Sequence, residues 1–196
     1  MQANISISGT APLLMASIAA ADPRNPIVKE KAKLEKQNKA KARTEERSEQ
    51  INKLSWYAYL YTRNSRVVMP ADNLLATIVE GAKLSKLGML AKQAAMFTDL
   101  DAYPLKYDGP CELEDLYADG RFVDARMGCL RGTSKILVVR PVFPEWGVTF
   151  DLTWDDEILD AQQVETVLGD AGRRRGLGTW RPRFGRFNVD RFEVTQ

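Results

Sequence analysis

Arg173-Arg174-Arg175-Gly176-Leu177-Gly178-Thr179-Trp180-Arg181-Pro182-Arg183-Phe184-Gly185-Arg186-Phe187 places six arginines, three glycines, one proline and three aromatic residues in fifteen positions. That composition fits neither a helix face nor an ordinary solvated loop. Gly176 and Gly178 free the backbone to bend closely around a ligand, and guanidinium forks match phosphate oxygens. Trp180 offers a flat face for a base. The competing reading has Arg173, Arg174 and Arg175 as cations at a helix C-terminus and the aromatics as core. That leaves Arg181, Arg183 and Arg186, on either side of Gly185, without a structural reason to be basic.

Outward from this stretch, the chain divides into segments of different character. A helix is expected just before it, because Asp160 and Gln163 have capping-box spacing and Val164, Val167, Leu168 and Ala171 form one apolar stripe that Gly172 can end. Phe187, Val189 and Val194 mark a closing strand. Upstream, Ile136 to Val139 is aliphatic, and Val148, Phe150, Leu152 and Trp154 alternate with polar residues. With Pro144-Glu145-Trp146-Gly147 as the turn, residues 135–154 read as a hairpin. At the other end, Ile5 and Ile7 alternate with serines in an opening strand that bends at Gly9. Val67 to Met69 runs extended into Pro70, and a helix follows. Asp72 or Asn73 is its expected cap, and Leu74, Leu75, Ile78, Val79 and Ala82 form its buried stripe.

Two segments interrupt this series. Residues 22–66 form a basic arm or insertion, with seven cations against two anions between Lys29 and Arg43 and few large apolar groups. It reads as a self-solvating helix or flexible arm, or as an arm over nucleic acid carried by Lys36, Lys39, Lys41 and Arg43. The aromatics Trp56, Tyr57, Tyr59 and Tyr61 after it are expected to pack. Residues 88–134, broken by Tyr103-Pro104, Asp108-Gly109-Pro110 and Asp119-Gly120, read as a second insertion with limited regular structure. Without the insertions the order is β-α-β-β-α-β. The expected fold is therefore α+β, a ferredoxin-like core within a single domain over 1–196, the plan shared by RNA-recognition domains.

Composition narrows the function. The chain has 196 residues, 44% of them hydrophobic, which suffices for a real core, and a net charge of only +2. Its basicity is therefore local. There is no histidine, which removes Ser-His-Asp and Cys-His nucleophile systems and most zinc sites. Cys111 and Cys129 are too far apart for a metal knuckle and read as reduced, cytoplasmic thiols. The apolar run from Ala11 to Ala21 lacks the preceding positive charge of a secretory signal and is too short to span a bilayer. No membrane association and no cofactor are expected.

Four blocks in this order, GTAPLLM at 9–15, MPADNLLATIVEGA at 69–82, the hairpin containing RPVFPEW at 140–146, and GLGTWRPRFGRFNV at 176–189, resemble the RAMP superfamily. These are ferredoxin-like proteins that form the RNA-gripping backbone of CRISPR effector complexes. More narrowly, the first, third and fourth blocks are similar to a group of uncharacterised bacteriophage proteins. The resemblance covers about half the chain, and it implies a glycine-rich backbone-contacting loop made by Gly176, Gly178 and Gly185 with Arg181 and Arg183. It carries over no catalytic residue, and the arm at 29–53 has no counterpart in it. The expected function is a non-catalytic protein that coats single-stranded DNA or RNA, a homo-oligomer on its strand. Two other readings stand beside it. One is a metal-dependent nuclease using Asp151, Asp155, Asp156 and Glu157. The other is a protein-interaction module such as a phage inhibitor of a host defence complex, since arginines also suit an acidic protein.

Overall fold

The computed structural model describes residues 1–40, 44–130 and 134–195, with the side chains of 39, 40, 129, 130, 134 and 135 outside that description. The first half comprises β1 (Gln2–Gly9), β2 (Leu13–Leu14), a 3-10 turn at Ile18–Ala21, α1 (Pro26–Ala40), α2 (Glu45–Tyr59), β3 (Thr62–Arg63), β4 (Arg66–Pro70) and α3 (Ala71–Leu84). The second comprises α4 (Gly88–Gln93), β5 (Ala102–Lys106), α5 (Leu113–Ala118), β6 (Val123–Leu130), β7 (Ser134–Phe143), β8 (Gly147–Thr153), α6 (Ala161–Arg174) and β9 (Phe187–Thr195). The protein is thus α+β with antiparallel sheets.

The chain forms two compact units. The first comprises Met1–Leu13, Thr62–Gly109 and Phe143–Gln196. Its six-stranded sheet has the order β3-β4-β5-β8-β1-β9. β1 is antiparallel to both neighbours, with Ile5 opposite Phe150 of β8 and Phe192 of β9. Period-2 alternation gives the sheet two chemically different faces. Ala3, Ile5, Ile7, Val148, Phe150 and Leu152 are buried on one. On the other, Asn4 Nδ2 donates to Asp151 Oδ1 at 2.7 Å, Ser6 and Thr149 share a 2.9 Å hydroxyl bond, and Lys106 Nζ donates to Thr149 at 2.8 Å.

The two long helices of this unit bury most of the stripes read from the sequence: Leu74, Ile78 and Ala82 in α3, where Leu75 and Val79 are only half-buried and Thr77 and Gly81 are buried instead, and Val164, Val167, Leu168 and Ala171 in α6. They touch closely at Gly81, where a Cβ would lie 2.6 Å from that of Ala171. α6 opens with the expected capping box, Gln163 N donating to Asp160 Oδ1 at 2.8 Å and Asp160 N to Gln163 Oε1 at 3.0 Å. Gly172 does not end it. The helix runs on to Arg174, because Gly172 instead admits Phe187, whose carbonyl would lie 2.3 Å from an added Cβ. Neither Asp72 nor Asn73 caps α3, whose N-cap is Pro70. That position fits, because the first N–H groups of a helix have no intrahelical partner to lose.

The second unit comprises Leu14–Tyr61 and Pro110–Val142, and contains a three-stranded sheet in the order β2-β7-β6 with α1, α2 and α5. The aromatic segment is core as expected at Trp56, which is fully buried and donates Nε1 to Phe122 O at 2.8 Å. Tyr57 and Tyr117 stack with centroids 6.4 Å apart.

Two sequence expectations need correcting. Strands over 135–154 exist, but they are not partners in a hairpin. β7 pairs with β6 from Ser134↔Leu130 to Pro141↔Val123, while β8 lies between β1 and β5. Both strands are apolar enough to satisfy either pairing, and alternation alone does not choose. The segment 88–134 contributes β5 to the main sheet, Leu105 opposite Val148, with Tyr103 and Leu105 buried despite the intervening Pro104. The arm at 26–59 is a pair of helices, 15 residues each.

Candidate nucleic-acid interface

The arginine-rich stretch connects α6 to β9, and its backbone is fixed from several sides. Arg175 is the C-cap of α6. Gly176 then takes the left-handed conformation at φ 77° that commonly follows a helix end, its N–H returning to Ala171 O at 2.8 Å. Leu177 N donates to Gly185 O, and Gly185 N to Pro12 O, both at 2.8 Å. Thr10 N reaches Arg186 O at 2.8 Å. Gly185, at φ 72°, has no room for a side chain, since a Cβ would lie 1.8 Å from Leu177 O.

The supporting residues come from the other three blocks of the sequence. Gly9 N donates to Trp146 O at 2.8 Å, and the indole packs so tightly on Gly9 that a Cβ there would sit 2.1 Å from Nε1. That Nε1 donates to Ala11 O at 2.9 Å, and the Trp146 ring meets Phe187 edge-on at 6.3 Å. Buried Thr77 of α3 donates to Gly176 O at 3.5 Å. Residues 9–12, 77, 146 and 176–187 thus form one connected cluster within the first unit.

On this scaffold the residues of the 173–187 stretch divide into groups. Leu177, Phe184 and Phe187 are buried and anchor the loop. Arg181, Arg183 and Arg186 are exposed, and so is Trp180 at 38%. Trp180 is held at φ 56°, a left-handed conformation costly for a bulky residue, with its ring edge-on to Phe184 at 6.3 Å. Gly178 also has positive φ, at 80°. Arg173 and Arg174 are exposed but engaged. Both lie in the last turn of α6, Arg173 Nη2 3.1 Å and Arg174 Nε 3.9 Å from Asp170 Oδ1.

Arg174, Arg175, Trp180 and Arg181 line a cleft of about 460 Å³ with Glu80 of α3. Nε of Arg175 is buried without a hydrogen-bond partner. Glu80 pairs with Lys83. This bond first, then the fields of Lys83, Arg175 and Arg181, holds its carboxyl below the usual carboxylate range. Sequence reading missed Glu80, Thr77, Gly9 and Trp146. The available signal was Gly81 inside an apolar helix pattern, which marks a close approach of some neighbour.

Of the arm residues, Lys36 is exposed on α1 in the second unit. The side chain of Lys39, and Lys41 and Arg43 entirely, lie outside the described residues. Of the acidic candidates, Asp151 accepts from Asn4, Asp155 Oδ1 accepts from Glu157 N at 3.0 Å, and Asp156 lies 3.3 Å from the Met1 amino group. No group of three or more potential metal ligands occurs among the described residues. Among the same residues no helix is long and apolar enough to cross a membrane. Cys111 is free and exposed. No protein-family model matches the chain, and neither does any curated protein.

Asp170 gives the site a pH signature. Its carboxylate is only 14% exposed, and hydrogen bonds from Arg173 and then Ser85 Oγ hold its pKa below the ordinary value. A carboxyl whose folded pKa lies below its unfolded value, about 3.9, stabilises the protein above that pH, and the contribution is lost as pH falls through the folded value. Asp170→Asn is therefore expected to lower the melting temperature at neutral pH. Its deficit relative to wild type should narrow below about pH 4. Parallel thermal melts across pH check this, and a deficit independent of pH would refute it.

Proposed function

We propose that this protein binds single-stranded nucleic acid through the 173–187 loop, without catalysis, and coats the strand as a homo-oligomer. The observation that carries the reading is the set of exposed arginines 181, 183 and 186 on a backbone clamped by residues 10, 12 and 177. Solvated cations on a mobile loop lose entropy on meeting a strand, whereas cations on a fixed backbone lose less. The strained, half-exposed Trp180 among them supports the same conclusion, because backbone strain gathers where function requires a geometry.

The first unit is read here as a ferredoxin-like core made by β1, α3, β5, β8, α6 and β9. The order β5-β8-β1-β9, antiparallel at each junction, supports this plan, with β3 and β4 extending one edge. It also separates this protein from RNA-recognition domains that stack bases on sheet aromatics. The polar face here carries Asn4, Ser6, Thr149 and Asp151, so stacking falls to the loop. The relationship to the RAMP superfamily and the phage proteins belongs to this proposal, supported by the meeting of the four sequence blocks around the loop.

Anisotropy of labelled single-stranded DNA, single-stranded RNA and duplex across a salt series tests the reading. Single strands should bind tighter, since only unstacked bases reach Trp180. Equal duplex affinity would remove stacking, and absence of binding at low salt would remove the function. Trp180→Ala should cost about 1–3 kcal/mol of affinity with little change in salt slope. As the indole is exposed, melting should change far less than the roughly 3–5 kcal/mol expected of a core tryptophan.

A further inference from the structure

The cleft beside the loop joins groups that backbone recognition alone does not require. Three guanidinium side chains, Arg174, Arg175 and Arg181, line it, and a carboxylate lines it too. A ligand bearing only negative charge would be repelled by Glu80, so the lining asks for an anion and hydrogen-bond donors in one molecule. Arg175 is half-buried, with its Nε buried and without a hydrogen-bond partner. Trp180, 38% exposed, adds an aromatic ring to the same lining. A volume of about 460 Å³ lies within the range for small-ligand pockets.

We propose that this cleft selects a guanine nucleotide, with Trp180 stacked on the base, Glu80 accepting from guanine N1–H and N2–H₂, and the arginines taking the phosphate. An ionised carboxylate accepts and cannot donate, and it offers about four lone-pair positions. Lys83 occupies one and keeps the group charged. Guanine alone among the common bases presents two adjacent donors on its Watson–Crick edge. Adenine and cytosine place an acceptor beside their amino group, and uracil and thymine flank their single donor with two acceptors. The base edge and a stacking ring are what proteins read in an unstacked nucleotide. The inference deepens the reading of the loop as a nucleic-acid interface and rests on it: the strand is held by Arg181, Arg183 and Arg186, and one position along it is chosen by Glu80.

The test uses the full chain and two labelled pyrimidine oligonucleotides that differ at one central position, guanine or adenine. The guanine strand should bind about tenfold tighter, as expected of one bidentate pair at a partly exposed site. Glu80→Gln puts a donor where an acceptor was. It should bring the two affinities together by weakening the guanine strand alone, with melting lowered only slightly by loss of the exposed Lys83 pair. Guanosine monophosphate should displace either strand at lower concentration than adenosine monophosphate. Equal affinities for the two strands in wild type would overturn the guanine site and leave the loop reading standing. A guanine preference that survives Glu80→Gln would overturn the role of Glu80. No binding of either strand would overturn both readings.

Discussion

Gly185→Ala is expected to destabilise the protein by about 2–5 kcal/mol, a large share of the stability of an ordinary domain. Two independent terms add. The residue sits at φ 72°, where any side chain is strained, and the new Cβ would lie 1.8 Å from Leu177 O and 2.7 Å from its carbonyl carbon. The obstacle is backbone and cannot rotate away. Relief would require separating Leu177 from Gly185, which breaks the 2.8 Å bond between them and pulls Gly185 N from Pro12 O. Gly120 provides the control. It has nearly the same φ, 73°, with nothing within 4 Å of its added Cβ, so alanine there should cost only the conformational term of about 1 kcal/mol. Urea unfolding of the two variants separates clash from strain. Equal midpoints would mean that the loop relaxes freely and that its rigidity has been overstated.

The second large effect concerns binding. Replacing Arg181, Arg183 and Arg186 together by alanine should lower the salt slope by about two, at roughly 0.7 per lost phosphate contact on a single strand, and reduce affinity most at low salt. Stability should stay within about 0.5 kcal/mol, because the three side chains are exposed. Their bonds within the protein are slight: Arg181 Nη1 reaches Gly176 O at 3.5 Å, and Arg183 lies 5.8 Å over the Phe184 ring. Arg173→Ala and Arg174→Ala, made singly, give the contrast. Of these two only Arg173 lies outside the cleft lining, so in Arg173→Ala alone the loss of the Asp170 contact should show chiefly in melting, while Arg174→Ala should also weaken binding. Unchanged slope in the folded triple variant would dismiss the loop as the interface.

Much of the first unit was legible because its elements carry strong periodic signals. The serine and isoleucine alternation of β1 and the capping box of α6 formed as read, and three of the five stripe residues of α3 are buried. Pairing was less legible. A strand such as β7 carries in its own sequence the tendency to be extended, yet its partner is decided by residues elsewhere, here β6. β5 escaped notice because Pro104 and the short span Ala102–Lys106 resemble a loop, although Pro104 lies opposite Val68 of β4. The loop itself could be found from composition. Its division into anchoring, ion-paired and exposed members could not, since Asp170, Leu177 and Pro12 decide it through distances that sequence does not give. Glu80 was invisible for the same reason: one acid on the outer side of a helix looks like any other.

The convergence of residues 9–12 and 146 on the loop also limits how far the site can be carried. A synthetic peptide spanning 173–187 would retain every arginine and the indole, but it would lose the carbonyl of Pro12 that receives Gly185 N and the amide of Thr10 that holds Arg186 O. Its glycines would then permit many shapes where the folded chain imposes one. Grafting onto another scaffold meets the same difficulty, because the graft must include a buried tryptophan from one strand connection and a glycine bend from another. The recognition surface belongs to the architecture and not to the segment that displays it.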